Sequence, residues 1–436
     1  GVLDNGMTYY IRHNEEPKDR ASFYIIQNVG AILESDAQNG LAHFLEHMAF
    51  NGTKHFPGKG ILNTLEKHGV AFGRNINAYT SQNETVYNLS DVPVDKPGLL
   101  DTCLLVLNDW SNYLLLTEEE IDAERGVITE EWRTRRTARF RMYKESLPYM
   151  YNHSKYAERD VIGDIDVIKN FEYETIRDFY HDWYRTDLQA IAIVGDFDAA
   201  EMEKKVIERF SDIPAVEDAK ERPFTEIPDN EKPMFALVTD KEADNTYIQY
   251  MIRQYVGQDG LTTVAELRDH YIEQLFNRMM SQRIQELLQQ GDPPFVNGSV
   301  SRRGFARGYD ALMISAMAKT NEEAIALRTV MEEAERARRH GFTDGELERS
   351  KTQMLTRMEK RYNERDKISN DRFAREYRNH FLQNEAFLNV EHEFQLMKEL
   401  MPTITTGDFD QAMDKWFMDK NQVLIIQGPE DEEINH

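Results

Sequence analysis

The spacing of apolar and polar residues divides most of the chain into short strands and amphipathic helices. Strand composition and period-two alternation appear in short segments, two of which flank a polar turn as in a β-hairpin. Other segments have apolar residues at the spacing of a helix face. The predicted elements, in chain order, are strands at 8–12 and 22–27, helices at 39–52 and 61–68, a hairpin at 75–89, helices at 97–116, from 117 onward and at 172–184, a strand at 190–194 and a helix ending at Phe210.

The second half of the chain repeats the first at an offset of 233 residues. Trp183-Tyr184 corresponds to Trp416-Phe417, and 191–195 corresponds without a gap to 424–428. An ungapped match through a helix and the strand after it indicates duplicated α/β domains. We therefore expect one domain at 1–212, a proline-rich linker at 213–233 and a second domain at 234–436. In the second domain, strands are predicted within 302–317 and two long helices within 321–361.

Composition excludes several classes of function. The net charge of −25 argues against a protein that must neutralise nucleic-acid phosphates. No apolar run reaches the length of a membrane span, and the single cysteine, Cys103, excludes a disulfide framework and a cysteine-based zinc site. With 40% apolar and 30% charged residues, the chain is typical of a globular protein. It begins at Gly1 rather than Met, so we expect that an upstream leader has been removed.

The segment His43-Phe44-Leu45-Glu46-His47 is the strongest chemical signal in the chain. On a helix, His43 and His47 leave the same face, and Glu46 borders it. This H-x-x-E-H order is the inverted form of a zinc-peptidase motif. Neutral imidazoles can hold zinc, and a neighbouring carboxylate can take a proton from the water that the metal binds. The alternative is a solvated helix face that happens to carry two histidines and a glutamate.

A third ligand would distinguish these alternatives, because a catalytic zinc site needs three protein ligands. Glu124 and Glu131 lie seven residues apart, at one edge of the apolar stripe of the helix that opens at Thr117. A carboxylate on that side of a helix needs a partner. Either each acid pairs with a nearby arginine, or Glu124 is the third ligand.

Taken together, these residues resemble the M16 zinc metallopeptidases, the pitrilysin-like and mitochondrial-processing-peptidase-like family. The inverted motif is followed, 77 residues after His47, by Glu124 in a Glu-Arg-Gly-Val-Ile segment similar to the family's Glu-Arg-x-Val-Ile. Residues 77–81, 159–163 and 194–196 are similar to further family motifs. The resemblance covers 1–210 closely and 233–436 loosely, and it is strongest to long bacterial envelope members.

The resemblance implies an α+β fold with two tandem homologous α/β-roll domains of the M16 (LuxS/metallohydrolase-like) type, each an antiparallel-rich sheet packed with helices. It implies that His43, His47 and Glu124 hold Zn²⁺ and that Glu46 is the general base. Glu131 would orient a ligand histidine from outside the ligand set. Asn77 and Ala78 would present an edge strand to which peptide substrate adds.

One departure from the family bears on completeness. The Arg and Tyr that bind the substrate carbonyl normally come from the partner half; the nearest stretch here is 278–286, and Phe295 stands where the Tyr is expected. We therefore expect this chain to be the N-terminal half of a periplasmic or cell-envelope zinc endopeptidase. Its partners would be unfolded or small peptides and a C-terminal half or homologous subunit that closes a chamber. The alternative is a non-catalytic family member that serves as a structural or peptide-binding subunit.

Overall fold

The computed structural model describes residues 1–430, which form two compact units with one five-stranded sheet each. The strands are β1 (Thr8–His13), β2 (Arg20–Gln27), β3 (Ile76–Thr80), β4 (Thr85–Pro93), β5 (Gln189–Gly195), β6 (Met234–Asp240), β7 (Thr246–Tyr255), β8 (Phe295–Ala306), β9 (Tyr309–Ala318) and β10 (Gln422–Pro429). The helices are α1 (Leu41–Met48), α2 (Gly60–Glu66), α3 (Leu99–Asn112), α4 (Glu118–Arg135), α5 (Ala138–Met150), α6 (Lys155–Glu158), α7 (Ile165–Asn170), α8 (Tyr173–Trp183), α9 (Ala199–Phe210), α10 (Val264–Gln289), α11 (Glu323–His340), α12 (Asp344–Asn363), α13 (Asn370–Gln383), α14 (Val390–Leu400) and α15 (Thr406–Trp416). The predicted strands, hairpin and long helices are confirmed.

The first sheet has the order β1-β5-β2-β4-β3, in which only the β1–β5 pair is parallel. Side chains alternate across β2, so Phe23 and Ile25 face one side, while Tyr24 and Ile26 face the other. All four are buried, and every residue of β5 is buried. Because both faces of this sheet are covered, its central strands are apolar runs without a polar face.

The second sheet repeats this plan, with the order β6-β10-β7-β9-β8 and one parallel pair, β10 with β6. The offset of 233 residues maps α8 onto α15 end to end and maps the start of β5 onto the start of β10. The predicted duplication is therefore confirmed, and the fold is α+β with two related domains. No helix within residues 1–430 combines the length and the apolar character needed to cross a bilayer.

Each unit contains a segment from the opposite half of the sequence. The first unit comprises 1–135, 159–225 and 366–387; the second comprises 136–158, 226–365 and 388 onward. In the first unit, α13 covers Tyr24, Ile26 and the small residues of β5 with Ala374, Tyr377 and Leu382. The prediction of one domain at 1–212, a linker at 213–233 and a second domain at 234–436 did not include this exchange of segments. Residues 214–233 lack helices and strands.

Candidate metal and catalytic site

Helix α1 holds the two histidines, and a buried carboxylate anchors its N-terminus. Glu34 is fully buried, and its Oε2 accepts hydrogen bonds from the backbone N–H groups of Gly40 (2.8 Å) and Ala42 (2.9 Å). This satisfies two N–H groups at the helix start and places negative charge at the positive end of the helix dipole. Gly40 has φ of +104°, and a Cβ there would lie 3.0 Å from the Ile162 carbonyl oxygen, so glycine is required.

The helix is shorter than predicted. It spans two turns, ending at Met48, instead of continuing to Asn51-Gly52. The chain leaves the helix there, and the Asn51 side chain becomes buried and donates to Glu124 Oε2 at 2.6 Å. Asn51, just beyond the helix end, therefore lies beside the candidate site.

Helix α4 supplies two carboxylates to α1. Glu131 Oε2 lies 3.4 Å from His47 Nε2 and 3.7 Å from His43 Nε2. Glu124 Oε1 lies 2.8 Å from Nδ1 of His47, the ring nitrogen on the other side. The two acids lie two turns apart on the same face of α4, and each reaches a different edge of the His47 imidazole.

The structure groups Glu131, and not Glu124, with Nε2 of both histidines. His43, His47 and Glu131 bring three potential ligand atoms within 4.8 Å of one another. Glu124, expected as the third ligand, contacts Nδ1 of His47, the ring nitrogen that faces away from Glu131. The alternative of arginine pairing applies to one acid only: Glu131 Oε1 pairs with Arg135 at 2.5 Å, whereas Glu124 binds Asn51 and His47.

The burial and charge of this cluster shift its protonation. Burial lowers the pKa of His43, and the neighbouring His47 lowers it further, which favours the neutral imidazole with a lone pair available. Burial also opposes the charged form of His47, but its hydrogen bonds to Glu124 and Glu131 outweigh that effect and raise its pKa to about 9. The hydrogen bond from His47 lowers the pKa of Glu131.

Glu46 lies on the same helix as the two histidines, and its pKa is shifted upward. Burial raises its pKa, while the hydroxyl of Thr80, which donates to Glu46 Oε2, partly opposes the rise. A carboxylate with a raised pKa is a better proton acceptor near neutral pH than an exposed one. The sequence analysis did not identify Thr80 as a site residue. Its position at the end of β3, within the family-like motif at 77–81, was the one sequence feature that could have pointed to it.

Strand β3 lies at the end of the first sheet, where β4 is the one described strand that it pairs with, and an isolated bridge joins its first residue, Ile76, to Phe72. Asn77 and Ala78 therefore stand on a strand with a free edge, and Asn77 is exposed. The hydrogen bond from Thr80 links this strand directly to Glu46 on α1. The expected substrate-binding residues and the expected base thus lie on neighbouring elements of one unit.

The donor set fits a divalent zinc-type cation. Two imidazole nitrogens and one carboxylate oxygen are a usual protein ligand set of catalytic zinc sites. The lowered pKa of buried His43 favours the neutral form that ligation requires. His47, whose pKa is raised, would release the proton on Nε2 when a cation binds, and the acids beside it supply the negative charge that a cation needs. Glu124, bonded to the other nitrogen of His47, occupies the position from which a carboxylate usually orients a ligand histidine.

The second unit has no counterpart of this cluster among the described residues. Arg283, the arginine of the family-like stretch, is held in ion pairs with Glu346 at 2.6 Å and Glu333 at 3.3 Å. Phe295, which stands where the carbonyl-binding Tyr was expected, is fully buried at the start of β8. Neither side chain is free to bind a substrate carbonyl within its own unit.

Comparison with known proteins identifies the family. Residues 9–155 match the family model described as insulinase (peptidase family M16), and residues 170–354 match the one described as peptidase M16 inactive domain. The chain belongs to peptidase family M16. The second match agrees with the missing metal motif in the second unit.

Individual relatives are similar along nearly the whole chain. A zinc protease PQQL-like protein of Arabidopsis thaliana is 33% identical over 95% of this chain, and the probable zinc protease PqqL of Escherichia coli is 31% identical over 95%. The chain spans only 40% and 44% of the lengths of these two relatives. The crystal structure of the first half of the periplasmic protease PqqL from Escherichia coli has a TM-score of 0.90 at 29% identity, covering 98% of this chain and 91% of that one.

Proposed function

We propose that this chain is the zinc-carrying half of a peptidase that hydrolyses small or unfolded polypeptides inside a closed chamber. The observation that carries the proposal is the convergence of His43 Nε2, His47 Nε2 and Glu131 Oε2 beside the carboxylate of Glu46. We assign His43, His47 and Glu131 as the zinc ligands. We assign Glu124, the acid first expected as a ligand, to the orientation of His47, which exchanges the two roles implied by the sequence.

When bound, zinc would supply a Lewis acid for the scissile carbonyl and for a water molecule. Glu46 would take a proton from that water and later deliver it to the nitrogen of the leaving amine. Because the Thr80 hydroxyl occupies Oε2 of Glu46, we assign the proton transfer to Oε1. The raised pKa of Glu46 favours this exchange near neutral pH.

Strand β3 would bind the substrate as an additional strand along its free edge. Backbone groups at Asn77 and Ala78 would align the peptide, a mode that selects extended conformation more than side-chain sequence. Thr80 lies two residues further along the same strand, so the aligned peptide would run past Glu46. Broad sequence selectivity follows from this arrangement.

The whole protein would contain a second half or a homologous subunit that completes the chamber. Support comes from the relatives, of which this chain spans less than half, and from the engaged Arg283 and buried Phe295 in the second unit. A periplasmic or cell-envelope location in a bacterium is proposed from the resemblance to the periplasmic PqqL of Escherichia coli.

The test separates ligand from orienting residue. Protein purified without added metal should contain about one zinc per chain. Glu124→Gln should weaken zinc binding by about 10–100-fold, the range found for residues that orient a ligand, and Glu131→Gln should weaken it more. Metal-free wild type that takes up no zinc would refute the site, and a larger loss in Glu124→Gln would restore the original assignment.

A separate variant tests the base. Glu46→Gln retains the size of the side chain but cannot accept the proton. In the full-length protein it should keep zinc and lose peptide cleavage by orders of magnitude, as measured with a quenched fluorescent peptide. Wild-type rates in Glu46→Gln would exclude the assigned role, and cleavage by neither protein would favour a non-catalytic subunit.

A further inference from the structure

Hydrogen bonds connect three polar side chains in series, from the surface of the first unit to Nδ1 of His47. Lys59, immediately before α2, donates from Nζ to Oδ1 of Asn51. Asn51 Nδ2 donates to Glu124 Oε2 at 2.6 Å, and Glu124 Oε1 lies 2.8 Å from His47 Nδ1. Asn51 and Glu124 are only 3% and 7% exposed, so water cannot readily replace either partner.

The donors and acceptors in this series of hydrogen bonds allow one orientation of the Asn51 amide. A lysine ammonium can only donate, and an ionised carboxylate can only accept. With Lys59 at one end and Glu124 at the other, the Asn51 amide must present oxygen to the lysine and nitrogen to the glutamate. Without Lys59, the Asn51 oxygen loses this donor, and the hydrogen bond to Glu124 alone is left to hold the amide in place.

The orientation of Asn51 determines how Glu124 meets His47. Both Glu124 oxygens are engaged, one by Asn51 and one by the imidazole, so the carboxylate plane cannot rotate without losing a hydrogen bond. A carboxylate fixed at Nδ1 holds the proton there and leaves Nε2, which faces Glu131, as the nitrogen for a metal.

We propose that Lys59 and Asn51 are positioning residues, which set the affinity of the site for zinc by orienting His47 through Glu124. This inference rests on the proposed function. Lys59 Nζ donates to Asn51, and the charge of Lys59 also contributes to lowering the pKa of Glu124. An exposed lysine two partners away from the metal site would thus influence metal binding without touching a ligand.

The experiment compares metal-free Lys59→Met, Lys59→Arg and wild type in zinc titrations against a chelator of known affinity. Lys59→Met retains the apolar stem and removes the donor, so its affinity should fall about tenfold or more. Lys59→Arg retains a donor and should recover most of the affinity. Lys67→Met, at the other end of α2, removes an exposed lysine with no such contact and should match wild type.

Asn51→Asp provides an independent variant, because it keeps the size of the side chain and removes the donor that Glu124 requires. It should also bind zinc more weakly, with Lys59 still present. Thermal unfolding of the metal-free proteins separates general destabilisation from positioning: the Lys59→Met midpoint should match that of Lys67→Met. In ¹⁵N-histidine-labelled, zinc-loaded protein, the His47 Nδ1–H signal should exchange with water faster in Lys59→Met.

The zinc titrations distinguish failure of the proposed metal site from failure of the proposed positioning role. If wild type binds no zinc, the proposed function itself is refuted. If wild type binds zinc and both Lys59→Met and Asn51→Asp bind it equally well, the positioning role is overturned while the metal site stands. A loss of affinity that Lys59→Arg does not recover, or that Lys67→Met shares, would also overturn it.

Discussion

Removing the ring of Tyr377 should destabilise the first unit, although this residue comes from the second half of the sequence. Tyr377 is 7% exposed and stacks on Tyr10 with ring centroids 5.0 Å apart and an interplanar angle of 6°. Phe387 meets it edge-on at 5.1 Å. A buried aromatic side chain removes about 150–250 Å² from water, which at about 25 cal/mol/Å² is worth about 4–6 kcal/mol. Because such areas are upper bounds, we expect Tyr377→Ala to cost about 3–5 kcal/mol.

The single cysteine of the chain provides the assay. Cys103 lies on α3 in the first unit, is fully buried, and its pKa is raised by burial, so its thiol reacts only when the unit opens. Labelling rates in low denaturant give the free energy of that opening, which should fall by about 3–5 kcal/mol in Tyr377→Ala.

Tyr377→Phe is the matched control for this experiment. It keeps the ring and loses only a long 3.5 Å contact from Arg12 to the hydroxyl, so its cost should stay under about 1 kcal/mol. If Tyr377→Ala labels at the wild-type rate, α13 does not belong to the core of the first unit, and the assignment of the exchanged segment is refuted.

Two further predictions concern the second unit and the complete protein. Hydrogen bonds from Arg283 and from Thr343 outweigh the effect of burial and lower the pKa of Glu346 to about 2, so its contribution to stability is present above about 4.5 and is lost as pH falls towards 2. Glu346→Gln should therefore show a flatter dependence of the urea midpoint on pH across that window, and an unchanged slope would contradict this. For the complete protein, a missing oxyanion donor costs about 3–4 kcal/mol. Residues 1–436 alone should thus cleave a quenched fluorescent peptide at least a hundredfold more slowly than the same chain joined to the second half that we propose, and equal rates would show that the site is complete in this chain.

Sequence patterns sufficed for the features that depend on neighbours along the chain. The hairpin at β3–β4, the H-x-x-E-H helix and the 233-residue repeat from α8 to α15 all follow from local periodicity and turn residues. The exchange of α5 and α13 could not be predicted in this way. The sequence of an amphipathic helix indicates which of its faces is buried. Which sheet that face covers depends on long-range packing, and the periodicity of the sequence carries no information about it.

The two acids on α4 illustrate the same limit at the level of single atoms. Glu124 and Glu131 lie seven residues apart, which is two helical turns, so both project towards α1 and both fit a count of residues from His47. Counting along the chain gives no information on which turn of α4 faces Nε2 of the histidines and which faces Nδ1. That choice depends on how α4 lies against α1, and the structure places Glu131 at Nε2 of both rings and Glu124 at Nδ1 of His47. Asn51, which follows the end of α1 at Met48, also contacts Glu124 in this packing. The contacts of the two ring nitrogens of His47 could therefore be assigned only once the two helices were seen together.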